Sequence, residues 1–246
     1  MSISPKPLTV FITGAAGGLG RVIATAFLDK GTNVAICDVN EERLAETTAL
    51  WAQSYPDRFI AQQADVASLA DIETLVQSIT SKFGRLDILI NNAAVLDKFD
   101  PAGTCSQEIG CQHHGGPVPP GGSIINMGSN ASVSGTDGGL AYTVSKHGIL
   151  ALTRNTAAFY LDHDITCTML QLGGLAATNI QDSLTEDVNM EGMGLIDKHM
   201  PGFQPGVNDV PLQDVAKFCI LLTDRELAKT LNGASVPFNR NWPAGV

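Results

Sequence analysis

Over the first ninety residues the apolar positions switch back and forth between two periods. Leu8–Thr13 is a short, β-branched run; beyond a glycine cluster, Leu19–Lys30 repeats at helical spacing. Asn33–Asp38 then reads as a second strand, Glu41–Gln53 as a charged amphipathic helix and Arg58–Gln63 as a third strand. Leu69, Ile72, Leu75, Val76, Ile79 and Phe83 fall on one helical stripe, and Leu86–Ile90 forms a fourth strand. Strands alternating with helices of this length predict βαβ units and a parallel sheet. The near-continuous apolar character of the strands predicts a sheet covered on both faces.

The alternation continues downstream. Ser123–Met127 and Ile165–Gln171 read as strands, Leu140–Leu161 and Leu212–Leu222 as helices, and Ala234–Phe238 as a last short strand. Residues 179–211, rich in Asp, Glu, Gly and Met, read as a mobile loop or helical lid. No internal repeat and no linker divides the chain. The pattern therefore predicts an α/β fold of three layers, a doubly wound and mostly parallel sheet flanked by helices, in one domain over residues 1–246.

Composition narrows the function classes. With 44% apolar and 16% charged residues the chain has the make-up of an ordinary globular protein. A formal charge of −10 argues against a surface that grips nucleic acid, which needs clustered Lys and Arg. The five cysteines, Cys37, Cys105, Cys111, Cys167 and Cys219, are scattered and odd in number, as reduced intracellular cysteines are. Met1–Pro7 has no hydrophobic signal core, and no run reaches the roughly 18 apolar residues of a membrane span. A cytoplasmic location without membrane partners is the expectation.

Thr13-Gly14-Ala15-Ala16-Gly17-Gly18-Leu19-Gly20 lies between the first strand and first helix. Glycines there allow positive φ and a close approach of backbone to a pyrophosphate, which then meets the N–H groups and positive dipole end of the helix. The spacing of Gly14, Gly18 and Gly20 is G-x3-G-x-G, and taken alone it is equally a tight βα turn. Asp38 changes that balance. It ends the second strand, 18 residues after Gly20, where a carboxylate accepts hydrogen bonds from a ribose diol and repels a 2′-phosphate. The following Val39 brings no compensating charge, so NAD(H) is the expected cofactor.

With these motifs in place the chain resembles the short-chain dehydrogenase/reductase family, over nearly its whole length. Thr13–Gly20 is similar to the family's T-G-x3-G-x-G turn. Asp65-Val66 follows the third strand, where the resemblance implies contact with adenine. Asn91-Asn92-Ala93-Ala94 resembles N-N-A-G, with Ala94 replacing glycine, and Tyr142-Thr143-Val144-Ser145-Lys146 is similar to Y-x3-K. Ser129 stands 13 residues before Tyr142, and Gly173–Thr178 resembles P-G-x3-T, with Gly173 replacing proline. The resemblance implies a Rossmann fold with Ser129, Tyr142 and Lys146 as catalytic residues. It also implies that Gly14, Gly18, Leu19, Gly20, Asp38, Asp65, Val66, Asn92, Ala93, Tyr142, Lys146 and Thr178 bind the cofactor, Lys146 at the nicotinamide ribose.

The residues themselves allow that chemistry. Tyr142 and Lys146 are four apart on a helix and share a face. A nearby ammonium favours tyrosinate and is expected to bring the phenol pKa down toward the working range for proton transfer at a substrate oxygen. Ser129, after the fifth strand, orients that oxygen, and a secondary alcohol and its ketone are the expected small-molecule pair. An isolated Y-x3-K is also commonplace on a solvated helix; the upstream motifs give it meaning here.

One segment departs from the pattern. Between Asn92 and Ser123 the family carries a helix, an asparagine completing a catalytic tetrad and a long dimerisation helix. Residues 97–122 hold four prolines, six glycines, six apolar residues and no asparagine. The segment reads as shortened, and Asn130, nearest in sequence, lies on the wrong segment to substitute. A second expectation follows, a dinucleotide-binding protein with lost or non-redox activity, and the family's homo-oligomer is put in doubt. Cys105, Cys111, His113 and His114 in that segment match no standard zinc spacing, so no metal site is expected. Met190, Met193, Met200 and Phe203 either line a hydrophobic pocket under the lid or pack within it.

Overall fold

The computed structural model describes residues 6–99, 120–183, 188–199, 204 and 206–242. Within them β1 (Thr9–Thr13), β2 (Asn33–Asp38), β3 (Phe59–Gln63) and β4 (Ile88–Asn91) alternate with α1 (Gly18–Asp29), α2 (Glu41–Ala52) and α3 (Leu69–Phe83). After β5 (Ser123–Met127) come α4 (Leu140–Phe159), β6 (Thr166–Leu172), α5 (Met190–His199), α6 (Leu212–Leu221), α7 (Arg225–Thr230) and β7 (Ser235–Phe238). The described strands form one sheet in the order β3-β2-β1-β4-β5-β6-β7, and every pairing is parallel. This is the doubly wound Rossmann arrangement expected from the alternation of periods.

Strand geometry explains how the sheet acquires two cores. Successive side chains of a strand point to opposite faces. Val10, Ile12, Val34, Ile36, Ile88 and Ile90 join one buried cluster with Ile23, Phe27 and Leu28 of α1, Leu44 and Trp51 of α2, and Val215 and Cys219 of α6. Phe11, Ala35, Cys37 and Leu89, one position out of phase, join the other with Ile72, Leu75 and Ile79 of α3. Local signals set the helix ends: Asn40 Oδ1 accepts from Arg43 N at 2.9 Å to cap α2, and Ser68 Oγ accepts from Asp71 N at 3.3 Å to cap α3. Gly84, in the left-handed region at φ 76°, closes α3.

The expected elements are present with ends moved by one or two residues. The helix expected at Leu140–Leu161 stops at Phe159 and gives way to a 3-10 turn at Leu161–His163, where Asp164 takes a left-handed conformation. The lid region contains α5, and α7 is an additional short helix that Asp224 caps through Glu226 N and Leu227 N. The metal-like Cys105, Cys111, His113 and His114 lie outside the described residues.

Candidate functional site

The turn after β1 is shaped by contacts that only glycine permits. Gly14 has φ 62°, and a Cβ there would lie 2.6 Å from Ala93 Cα. A Cβ on Gly20 would stand 2.5 Å from Gly14 O, so α1 starts directly on the turn. Behind it, Thr13 Oγ1 accepts from the backbone N–H groups of Asn92 and Ala93, both at 3.0 Å. Asn92 Nδ2 donates to Thr13 O at 2.9 Å and Gly14 O at 2.8 Å. Asn92 and Ala93 thus brace the turn rather than merely flank it.

Asp38 stands beside the same turn. Its Oδ2 accepts from Ala16 N and its Oδ1 from Asn40 N, each at 3.1 Å, which fixes the carboxylate at the end of β2. The start of α1 carries no side-chain cap and no acidic residue in its first turn, so its N–H groups and positive dipole end suit an anion. A dinucleotide pyrophosphate fits these residues. Leu19, buried in the core, has only backbone to offer a ligand, and Val66 likewise packs toward the core. Asp65 is exposed after β3 and shapes the entry to α3, its Oδ1 accepting from Ala67 N at 2.9 Å.

Ser129, Tyr142 and Lys146 gather two strand positions away, beyond β5. The backbone N–H of Ser129 donates to Ser132 Oγ and its hydroxyl accepts from Ala131 N, a reciprocal capping of the 3-10 turn Asn130–Ser132 that holds Ser129 in place. Its hydroxyl lies near enough to the Tyr142 phenol to draw the phenol pKa down. Lys146 Nζ lies 5.5 Å from the centroid of the Tyr142 ring and donates to Met127 O at 3.0 Å. Burial lowers the Lys146 pKa from 10.5 to about 8.

The balance at Tyr142 differs from the sequence expectation. Burial dominates and raises the phenol above its ordinary 10, and the negative charges of Asp137 and Asp97 push the same way. The ammonium faces the ring and donates to the Met127 carbonyl, and only the Ser129 hydroxyl draws the phenol down.

Asp97 was not legible as a site residue. It is buried, and its carboxylate accepts from Gly139 N at 3.1 Å, Tyr142 N at 2.9 Å and Phe99 N at 3.1 Å. It therefore caps the N-terminus of α4, where Gly139 has no side chain to do so. An α4 lacking its own capping residue was the available signal. A Cβ on Gly139 would lie 2.5 Å from an Asp97 oxygen. Asn130 is committed elsewhere: its Nδ2 donates to Trp242 O at 3.1 Å, and its Oδ1 accepts from Asn239 Nδ2 at 3.2 Å.

The segment beyond β6 returns to the site at two places. Asn179 lies over the glycine turn, its Oδ1 3.0 Å from where a Cβ on Gly18 would be, and Thr178 Cα is 3.4 Å from the same point. Asp182 forms an ion pair with Arg43 in the first turn of α2. Further on, Asn189 N donates to Lys98 O at 2.9 Å, tying the start of α5 to the segment that carries Asp97. Met190 and Met193 are exposed, and Met200 and Phe203 lie outside the described residues. Among the described residues no helix is long and apolar enough to cross a membrane, and none of the His, Cys, Asp and Glu residues cluster as a metal site.

A doubly wound sheet with this turn and this Ser-Tyr-Lys grouping defines a nucleotide-binding oxidoreductase class. The short chain dehydrogenase family model matches residues 8–110 and 118–189, and the chain belongs to that family. It is 36% identical over 266 residues to a short chain dehydrogenase/reductase, dpfgG, of Gibberella zeae, covering 100% of the chain and 96% of the relative. It is 34% identical to the Colletotrichum higginsianum short chain dehydrogenase/reductase dpchG, covering 97% and 94% of the two chains. The fold is similar to that of L-sorbose reductase from Gluconobacter frateurii, solved with NADPH and L-sorbose, at TM-score 0.80, 21% identity and full coverage of both chains.

Proposed function

We propose that the chain is an NAD(H)-dependent oxidoreductase, one nucleotide-binding domain that interconverts a secondary alcohol and a ketone with Tyr142 as general acid and base. The observation that carries this reading is the placement of two groups at the same end of the sheet. The glycine turn follows β1 and Ser129 follows β5, with β4 between them, so the two lie about 10 Å apart. They flank the topological switch point, where the chain leaves β1 for β2 on one side and β4 lies on the other.

A dinucleotide held here would supply the hydride chemistry. Gly14, Gly18, Gly20 and the start of α1 take its pyrophosphate, Asp38 the adenosine ribose, Asp65 and Val66 the adenine side, and Asn92, Ala93 and Thr178 flank it. Ser129 hydrogen-bonds the substrate oxygen and holds it at the Tyr142 phenol. Tyr142 gives that oxygen a proton in reduction and takes one in oxidation. Lys146 keeps positive charge beside the phenol and offers its ammonium to the nicotinamide ribose.

Asp38 supports NAD(H) over NADP(H), because the nearest following side chain, Val39, is uncharged and Arg43 is paired with Asp182. A cytoplasmic setting is consistent with Cys37, Cys167 and Cys219 being free. Separate calorimetric titrations with NADH and NADPH test the cofactor reading: micromolar NADH binding and much weaker NADPH binding are expected. Tyr142→Phe should retain NADH binding and lose about 10²–10⁴-fold in turnover; full activity in that variant overturns the mechanism.

A second reading is favoured by the absence of asparagine from residues 97–122. It is a dinucleotide-binding protein without redox turnover. Tight NADH binding with no turnover across a broad ketone panel would establish it over the first.

A further inference from the structure

Asn130 is the first residue of the 3-10 turn that Ser129 caps, and it is buried. The reciprocal capping ties Ser129 to the turn, and further bonds tie the turn to the rest of the fold. Gly128 N, just before Ser129, donates to Leu170 O of β6 at 2.9 Å. Just after Ser129, the Asn130 amide meets three partners from outside the turn. Its Nδ2 donates to Trp242 O at 3.1 Å, and its Oδ1 accepts from Gln171 Nε2 at 3.4 Å and from Asn239 Nδ2 at 3.2 Å. Two of the three belong to residues 239–242, beyond β7. A buried amide with its donor and acceptor both engaged is held in one orientation.

The chain beyond β7 is bent to make these contacts. Trp242 N donates to Asn239 O at 3.0 Å and closes a tight turn whose central residues, Arg240 and Asn241, have φ 54° and 55°. Left-handed backbone is costly for an arginine, so the surroundings must hold the bend. Asn239 Oδ1 supports it by accepting from Asn241 N at 2.9 Å. Asn239 also rests on the stretch that leads from β6 to Thr178. A Cβ on Gly173 would lie 2.8 Å from Asn239 Cα, and Gly173 N donates to Phe238 O at 3.1 Å. A proline at 173 would lose that donor and collide with Asn239. Glycine at this position is thus matched to residue 239, and Asn239 bridges the Ser129 turn to the Gly173 stretch.

We propose that Asn239 is a positioning residue: acting through Asn130, it holds the Ser129 hydroxyl in register with the stretch after β6 that flanks the cofactor. This inference rests on the proposed alcohol–ketone reading of the same site. Misplacing a group that orients the reacting oxygen by about 1 Å costs on the order of 10²-fold in rate, with little effect on binding.

Asn239→Ser is the variant to test, because its hydroxyl can still accept from Asn241 N while the donor to Asn130 is lost. Hydrogen exchange of the peptide spanning residues 127–134 should speed up about tenfold, with the peptides of α3 unchanged as the control. Steady-state kinetics use NADH with whichever of cyclohexanone, acetophenone and ethyl acetoacetate turns over fastest. There kcat should fall about 10–100-fold, while KM for the ketone and Kd for NADH stay within about threefold. The Asn130→Ala/Asn239→Ser double variant should be no slower than Asn130→Ala alone, since the effect passes through Asn130. Unchanged exchange in residues 127–134, unchanged kcat, or losses that multiply in the double variant each overturn the inference. So does a change confined to the thermal midpoint, which would assign Asn239 to stability alone. If the native protein reduces none of the three ketones, the redox reading falls, and the exchange measurement alone decides whether Asn239 holds Ser129.

Discussion

At the scale of single residues, Lys146 is a site group the fold would be more stable without. Lys146 is 5% exposed, and its ammonium has Met127 O as its hydrogen-bond acceptor. Its pKa falls from 10.5 in the unfolded chain to about 8 in the folded one. Between those values the unfolded chain binds more protons, so the burden on stability is full below about pH 8 and fades as pH rises toward 10.5. Lys146→Met should therefore be more stable than the native protein by about 1–3 kcal/mol at pH 7, with the gain shrinking by pH 10. Urea unfolding at the two pH values checks this, and oxidoreductase activity should be lost in the same variant. The sequence made Tyr142 and Lys146 neighbours on a helix. It did not show that Lys146 is buried and Tyr142 largely desolvated, and desolvation reverses the expected direction of the Tyr142 shift.

At the scale of elements, α4 shows both what the sequence reveals and what it hides. Its length follows from an apolar pattern running from Leu140 to Phe159, and its expected start at Leu140 is the observed one. Its cap was invisible because the acceptor comes from 42 residues upstream, from the segment that follows the neighbouring strand β4. Local pattern carries no trace of such a partner. The glycine turn was readable because its requirement is local: positive φ at Gly14 and Gly18 and contacts of ångström closeness at Gly20. Removing the distant cap tests its role. Asp97→Ala leaves three N–H groups without their acceptor and should cost about 2–4 kcal/mol. It should also lower kcat about 10–100-fold by shifting Tyr142, while the Kd for NADH changes little, and Asp97→Asn should recover part of both. Equilibrium unfolding together with steady-state kinetics separates the two effects.

At the scale of the whole molecule, the sheet protects its thiols. Cys37, Cys167 and Cys219 are fully or almost fully buried, and burial pushes each thiol up to about 12, so at pH 8 the reactive thiolate is on the order of 10⁻⁴ of the total. Peptide mapping after iodoacetamide treatment should find these three unmodified in the native protein and alkylated in urea; labelling in native buffer would contradict the packing. The composition of the two cores has a separate consequence. Every buried member of the cluster on the α3 face, from Phe11 to Leu89, precedes Asn92, and the strands β3-β2-β1-β4 that carry it pair among themselves. As the polypeptide leaves the ribosome, that half can close around its own interior before the connection to β5 has been synthesised. The half that carries the glycine turn thus holds one complete interior of its own.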